Sequence, residues 1–239
     1  TPITLGIAGK TPVAVSGGAY HTLVLMSDGT LYGCGRNQEG QLGLGAGAGT
    51  ANQPTLLPIT LGIAGKMAMA LSCGWDHTLV LMSDSTLYGC GENGYGQLGL
   101  GAGAGTDSQP TLLPITLGIA GKTPVAVSCG GYYTLVLMSD GTLYGCGANN
   151  NGQLGLGYVN YGTLTTLTRI INGIESKTPV AVSGEWNHNL VLMSDGTLYG
   201  CGRNYSGELG LGDDAGTRYA NLTLIPITNI SAVMDMVGE

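Results

Sequence analysis

The sequence predicts an all-β fold, a β-propeller-type array of four repeats with a truncated fifth. Three observations carry that prediction. The block Thr22–Gly45, TLVLMSDGTLYGCGRNQEGQLGLG, returns as Thr78–Gly101, Thr134–Gly157 and Asn189–Gly212. The step is nearly constant: Lys10, Lys66 and Lys122 stand 56 residues apart, and Lys177 follows after 55. No stretch of about ten residues carries a helical apolar period free of Gly or Pro. A period of this size belongs to stacked or radial repeats. Three to four short antiparallel strands per period describe a propeller blade. A straight β-solenoid is the alternative, but its coils are usually shorter than this step. The repeats fall at roughly 2–57, 58–113, 114–169 and 170–225, with a partial one at 226–239, in a single domain or a fragment of one.

Each period can be justified strand by strand. Val13-Ala14-Val15 alternates small and β-branched residues after Pro12, which suits the start of a strand. Leu23-Val24-Leu25-Met26 is an unbroken apolar run, as expected of a strand covered on both faces. Asp28-Gly29 separates that run from Leu31-Tyr32, a strong hairpin signal because the turn needs positive φ. Ser85 replaces this Gly in the second copy, so that turn is expected to be strained or of another type. GQLGLG, residues 40–45, makes a further turn, and Leu56-Leu57-Pro58-Ile59 supplies a fourth strand. Pro226–Ile230 restarts the lead-in, and Val233–Val237 reads as a first strand. That piece duplicates the N-terminal one, which favours a segment of a longer array over a small closed ring or an oligomer that completes the circle.

Composition narrows the function. A net charge of −7, a pI near 4.7 and no cluster of Lys or Arg argue against direct nucleic-acid binding. No apolar run approaches the roughly 18 residues of a membrane span. No signal-peptide pattern opens the chain. Of the six cysteines, Cys34, Cys90, Cys146 and Cys201 share one repeat position, and Cys73 and Cys129 share another. Their distribution follows the repeat, so buried free thiols are expected, with bridges between neighbouring repeats as the alternative. No pair has zinc-finger spacing, so no metal is expected. These features favour an intracellular protein of otherwise unknown compartment.

In the second copy the residues Ser72, Cys73, Gly74, His77, Thr78, Asp84, Leu87, Tyr88, Gly91, Asn93, Gly96, Gln97, Leu98 and Gly99 spell a motif that closely resembles the repeat of the regulator of chromosome condensation family. The resemblance covers nearly the whole chain. It implies a β-propeller, usually of seven blades. It also implies a choice among several roles, including nucleotide exchange on a small GTPase and protein-binding modules, because fold alone does not select function. One departure recurs. Where the family usually has Trp, this chain has Cys34, Cys90, Cys146 and Cys201. The space must be filled otherwise, with Tyr32 and its equivalents as candidates.

No catalytic residue and no cofactor are expected. His21, His77 and His188 recur at one position, where the third copy has Tyr133. A structural role, hydrogen-bonding across a turn, explains that pattern better than catalysis. Asp28, Asp84, Asp140 and Asp195 are turn residues by position. Asn37, Asn93, Asn149 and Asn204 are expected to satisfy backbone groups in a buried loop. Asp213-Asp214 is weak evidence for a cation, and the sequons at Asn204, Asn221 and Asn229 read as chance.

The better functional signal is where the copies disagree. One variable window holds Ala19-Tyr20, Trp75-Asp76, Gly131-Tyr132 and Trp186-Asn187. The other holds Arg36 with Gln38-Glu39, Glu92 with Gly94-Tyr95, Ala148 with Asn150-Asn151, and Arg203 with Tyr205-Ser206. Trp, Tyr and Arg dominate binding hot spots. Tyr20, Arg36, Trp75, Asp76, Tyr95, Tyr132, Trp186, Arg203 and Tyr205 are therefore the candidate partner-binding residues. The expected function is a non-enzymatic module that binds another protein through variable blade loops. Guanine-nucleotide exchange on a small GTPase is the first alternative, and a structural or assembly component, viral for example, is the second.

Overall fold

A computed structural model describes residues 7, 9–48, 51–60, 62–116, 118–212 and 220–228. The restart at 229–230, the strand expected at 233–237, Asp213-Asp214 and the Asn229 sequon lie outside the described residues. Four antiparallel sheets follow one another along the chain, each with its strands in sequence order. The first holds β1 (Pro12–Gly17), β2 (His21–Met26), β3 (Leu31–Gly35) and β4 (Gln53–Ile59). The second holds β5 (Ala68–Cys73), β6 (His77–Met82), β7 (Leu87–Gly91) and β8 (Gln109–Ile115). The third holds β9 (Pro124–Cys129), β10 (Tyr133–Met138), β11 (Leu143–Gly147) and β12 (Thr168–Ile170). The fourth holds β13 (Pro179–Gly184), β14 (His188–Met193), β15 (Leu198–Gly202) and β16 (Asn221–Pro226). These are propeller blades. β1, β5, β9 and β13 lean on one another in turn and form the inner wall.

The expected turns hold. Gly29, Gly141 and Gly196 all have positive φ at the tip of the second hairpin. Ser85 keeps the same turn at φ 63°, as the one non-glycine residue with positive φ among the described residues. The left-handed region crowds Cβ against the carbonyl. Ser85→Gly is therefore expected to raise stability by about 1 kcal/mol, read as a higher denaturation midpoint. The Asp of each hairpin is a turn residue, as its position suggested. Asp28 Oδ1 accepts from the Thr30 backbone N at 3.0 Å and from its hydroxyl at 2.6 Å, and Asp28 Oδ2 pairs with Lys10. The pairs Lys66–Asp84, Lys122–Asp140 and Lys177–Asp195 repeat it. These exposed pairs staple the lead-in of each period onto its own hairpin.

The core lies in slabs between neighbouring blades. Leu23, Leu25 and Leu31 of the first blade meet Val80, Met82, Tyr88 and Cys90 of the second. The third blade receives the second, and the fourth the third, through the equivalent residues. All six residues of β6 and of β10 are buried, which is why the sequence there is an unbroken apolar run. Three of the four cysteines at the repeated position are buried free thiols, as expected, whereas Cys34 is only half-buried. Cys90, Cys146 and Cys201 are free buried thiols that donate to the carbonyls of Gln41, Gln97 and Gln153 at 3.5, 3.4 and 3.6 Å. Tyr88, Tyr144 and Tyr199 pack in the same slabs. Among the described residues nothing covers the outer side of β14, where Leu192 is 40% exposed while its equivalents Leu25, Leu81 and Leu137 are buried.

The histidines overturn one detail. His21 Nε2 meets Thr78 Oγ1 at 3.0 Å, and His77 Nε2 meets Thr134 Oγ1 at 3.3 Å. They bond across the blade interface, not across a turn, because their strand position turns the ring toward the next blade. In the third copy the Tyr133 hydroxyl donates to the His188 carbonyl oxygen at 2.5 Å and fastens the third blade to the fourth.

Candidate functional site

The two variable windows meet in every blade. Arg36 N donates to Tyr20 O at 2.8 Å, Glu92 N to Asp76 O at 2.8 Å, Ala148 N to Tyr132 O at 2.9 Å and Arg203 N to Asn187 O at 2.8 Å. The loop before the second strand and the loop after the third thus form one surface. Further backbone bonds string that surface from blade to blade. Ala19 N donates to Trp75 O at 3.2 Å, Trp75 N to Gly131 O at 3.0 Å, and Gly131 N to Trp186 O at 3.1 Å. At its inner margin the same face opens into an axial depression of about 500 Å³, lined by Ser16, Ser72, Ser128, Trp75 and Trp186 among others.

Below this face the constant residues hold the loops. Asn37, Asn93, Asn149 and Asn204 are buried, and their Oδ1 atoms accept from the backbone N of Leu42, Leu98, Leu154 and Leu209 at 2.9–3.1 Å. That is the role expected for them. Gln41, Gln97 and Gln153 do a second job that the sequence did not announce. Their Oε1 atoms accept from the backbone N of Glu39, Tyr95 and Asn151 at 3.0, 3.0 and 2.8 Å. With both loops fixed from beneath, the side chains that vary are presented on a firm base.

The nine candidate residues form one connected belt. The Arg36 guanidinium lies 5.7 Å from the Tyr20 ring centroid and 3.2 Å from Asp76 Oδ2. Trp75 packs on Tyr132 with centroids 5.1 Å apart, and Tyr132 on Tyr95 at 5.1 Å. Trp75 also meets Trp186 edge-on at 5.2 Å. Arg203 lies over Trp186 at 5.9 Å and over Tyr205 at 5.4 Å. Such contacts fix the orientation of large side chains. Tyr20, Trp186 and Tyr205 are 63%, 54% and 51% exposed, so the belt faces solvent. Asp76 is the exception. It is buried under Arg36 and accepts from Gln41 Nε2 at 2.6 Å, so it supports the surface and does not front it.

Two residues outside the nine belong to the same surface. Glu92 is half-buried, and burial first, then the charges of Asp76 and Glu39, push its carboxyl up to about 7. Burial and the nearby charge of Glu39 likewise raise Asp76, against the pull of Arg36. Glu92 and Glu39 stand in the variable windows. They were left out of the nine candidates, of which Asp76 was the one carboxylate.

Comparison with known proteins gives the family. The model of the RCC1-like domain matches residues 2–237. The ultraviolet-B receptor UVR8 of Arabidopsis thaliana is 32% identical over 87% of this chain, which spans 45% of that protein. A secretion-regulating guanine nucleotide exchange factor of Bos taurus is 28% identical over 82% of this chain and 41% of its own length. Yeast RCC1 (Prp20), solved bound to Kap60, superposes with a TM-score of 0.78 at 20% identity, over 94% of this chain and 50% of that one. The chain thus spans half or less of the length of each of these relatives.

Proposed function

Because the chain belongs to the family of RCC1-like domains, we propose that it works as a non-enzymatic protein–protein interaction module whose binding face is the aromatic belt. One observation carries the reading. Residues that differ between otherwise near-identical repeats converge, from four blades, on one exposed and connected surface. Large rigid side chains at the centre of such a surface, with charged groups around them, have the anatomy of a protein interface. The recurring His, Asp, Asn and Cys residues are absorbed by turns and blade interfaces, which leaves no nucleophile with its own base among the described residues.

The test is capture by cross-linkers placed at Tyr20 and Tyr205 and, as a control, at Asp140 on a second-hairpin turn. A protein caught only from the belt, and lost when Trp75 and Trp186 are both replaced by Ala, supports the reading. Each substitution is expected to cost about 2 kcal/mol of binding or more. Capture unchanged by the two substitutions ends it. Nucleotide exchange on a small GTPase is the second reading, favoured by the similarity to a named exchange factor. Accelerated release of labelled GDP from a small GTPase would select it.

A further inference from the structure

The first interface on the belt closes its own charges. Arg36 pairs with Asp76, and Gln41 Nε2 donates to the same carboxylate. One repeat later the equivalent three positions hold Glu92, Tyr132 and Gln97. A carboxylate stands where the guanidinium was, and a phenol where the carboxylate was. The interface has lost its cation and kept a negative group.

Three observations mark the resulting notch. The Glu92 carboxylate makes no hydrogen bond or ion pair with any described residue, although Asp76 and Glu39 lie close enough to repel its charge and only Arg36 offsets them. Gln97 is fully buried, and its Nε2 has no acceptor among the described residues, which marks the lost counterpart of Asp76 and not the incoming group, since a guanidinium only donates. The same amide of Gln41 and of Gln153 runs to Asp76 Oδ1 and Asn187 Oδ1, at 2.6 and 3.4 Å, so that of Gln97 is aimed at the place of Tyr132, beside Glu92. Finally, each end of the belt lays one of the chain's own guanidinium groups on an aromatic ring, Arg36 on Tyr20 and Arg203 on Trp186 and Tyr205. The middle has the rings, Trp75, Tyr132 and Tyr95, with a carboxylate beside them and no guanidinium of its own. A metal ion is a poor occupant, since no three His, Cys, Asp or Glu among the described residues stand together in a way that could hold one.

We propose that this notch between the second and third blades takes an arginine side chain from a basic peptide segment of the partner, with its guanidinium against Glu92 and its flat face on the Trp75–Tyr132–Tyr95 rings. The inference rests on the reading of the belt as a binding face and names the chemistry of what binds there. A guanidinium suits the site better than an ammonium because it stacks and offers paired donors to one carboxylate. The excess of negative groups over Arg36 would also steer a basic segment toward the notch.

The probe is an acetylated, amidated peptide of alternating Gly and Arg, compared with its Lys and Glu counterparts. Binding is followed by tryptophan fluorescence, since both tryptophans of the chain lie in the belt. The Arg peptide is expected to bind best and the Glu peptide not at all. Glu92→Gln should weaken the Arg peptide by about tenfold or more, with thermal unfolding checked in parallel. Tyr95→Ala, at an exposed site, should weaken it as well, and Asp140→Asn on the hairpin side should not. Wild-type affinity should fall as pH drops from about 8 to about 6, because Glu92 is neutralised near 7, and the Glu92→Gln variant should lose that dependence. The groups facing Glu92 are Asp76, Glu39, Arg36 and Tyr132. Equal binding of Arg and Glu peptides, or an Arg affinity untouched by Glu92→Gln, would overturn the proposal. If no basic peptide binds while Trp75→Ala and Trp186→Ala still abolish protein capture, this inference fails and the binding face stands. Self-association that Trp186→Ala abolishes, without peptide binding, would give the face to a second copy and overturn it too.

Discussion

Replacing Leu137 by Ala is expected to destabilise the protein by about 3 kcal/mol, whereas the same change at Leu192 is expected to cost about 1 kcal/mol or less. The two leucines hold the same repeat position. Leu137 pairs with Leu143 and Leu192 with Leu198 in the same register. Both lie on the side of their strand that turns away from the preceding blade. Leu137 is 4% exposed because the fourth blade covers it, and Leu192 is 40% exposed because no described residue does the same for the fourth blade. Truncation costs the transfer of the lost methyl groups plus the cavity left behind, and only the covered site has a cavity to leave. Midpoints of urea unfolding for the two variants decide the matter. Equal losses would mean that stability does not reside in the slabs between blades.

That contrast shows what one sequence can and cannot give. The repeat made the blades legible, because identical strings fold into identical sheets and Asp-Gly turns fix their register. The apolar run of β6 and β10 declared burial on both faces. The same run in β14 is LVLM too, so the string alone could not tell a strand that described residues cover from one that they do not. Burial there depends on a neighbour about 56 positions away. The belt was legible for a different reason. Comparing the copies separated residues that every blade needs from residues that are free to differ, and the second set fell on one surface. Glu92 and Gln97 were harder. Their meaning lies in partners they lack, Arg36 and Asp76 having no counterpart one blade later, and an absence becomes visible only when the equivalent contacts are in place. The histidines were misread in detail for the same physical reason. A turn is local and can be seen in a short string, whereas the bond from His21 to Thr78 spans 57 residues.

The histidines also set the second large expectation, an acid-sensitive blade interface. Burial pushes His21 down to about 4 and His77 down to about 3, so both rings are neutral in the folded protein at neutral pH. Unfolding returns them to about 6.5. Between those values the unfolded chain binds protons that the folded chain refuses, so stability falls as pH is lowered through that window. From pH 7 to pH 5 each ring accounts for about 2 kcal/mol of loss. Glu92 works in the opposite sense. Its raised carboxyl takes up a proton first in the folded state and so favours folding as pH falls from about 7 toward 4.5. A pH profile of the wild-type protein alone therefore mixes the two signs. The third copy supplies the variant that separates them. Tyr133 fills the same position, fully buried, and bonds the next blade through a hydroxyl that does not titrate in this range. In His21→Tyr/His77→Tyr each new hydroxyl has the equivalent carbonyl, of His77 and of Tyr133, within reach by the same repeat geometry. Thr78 keeps its bond to Gln41 O at 2.8 Å, and Thr134 its bond to Gln97 O at 2.7 Å. Every carboxylate is common to both proteins and cancels from the difference. The stability of the double variant relative to wild type should accordingly rise by about 4 kcal/mol between pH 7 and pH 5, measured by denaturant unfolding at each pH. A difference that stays constant across this range would show that the histidines protonate in place, and that the blade interface is wetter than its packing implies.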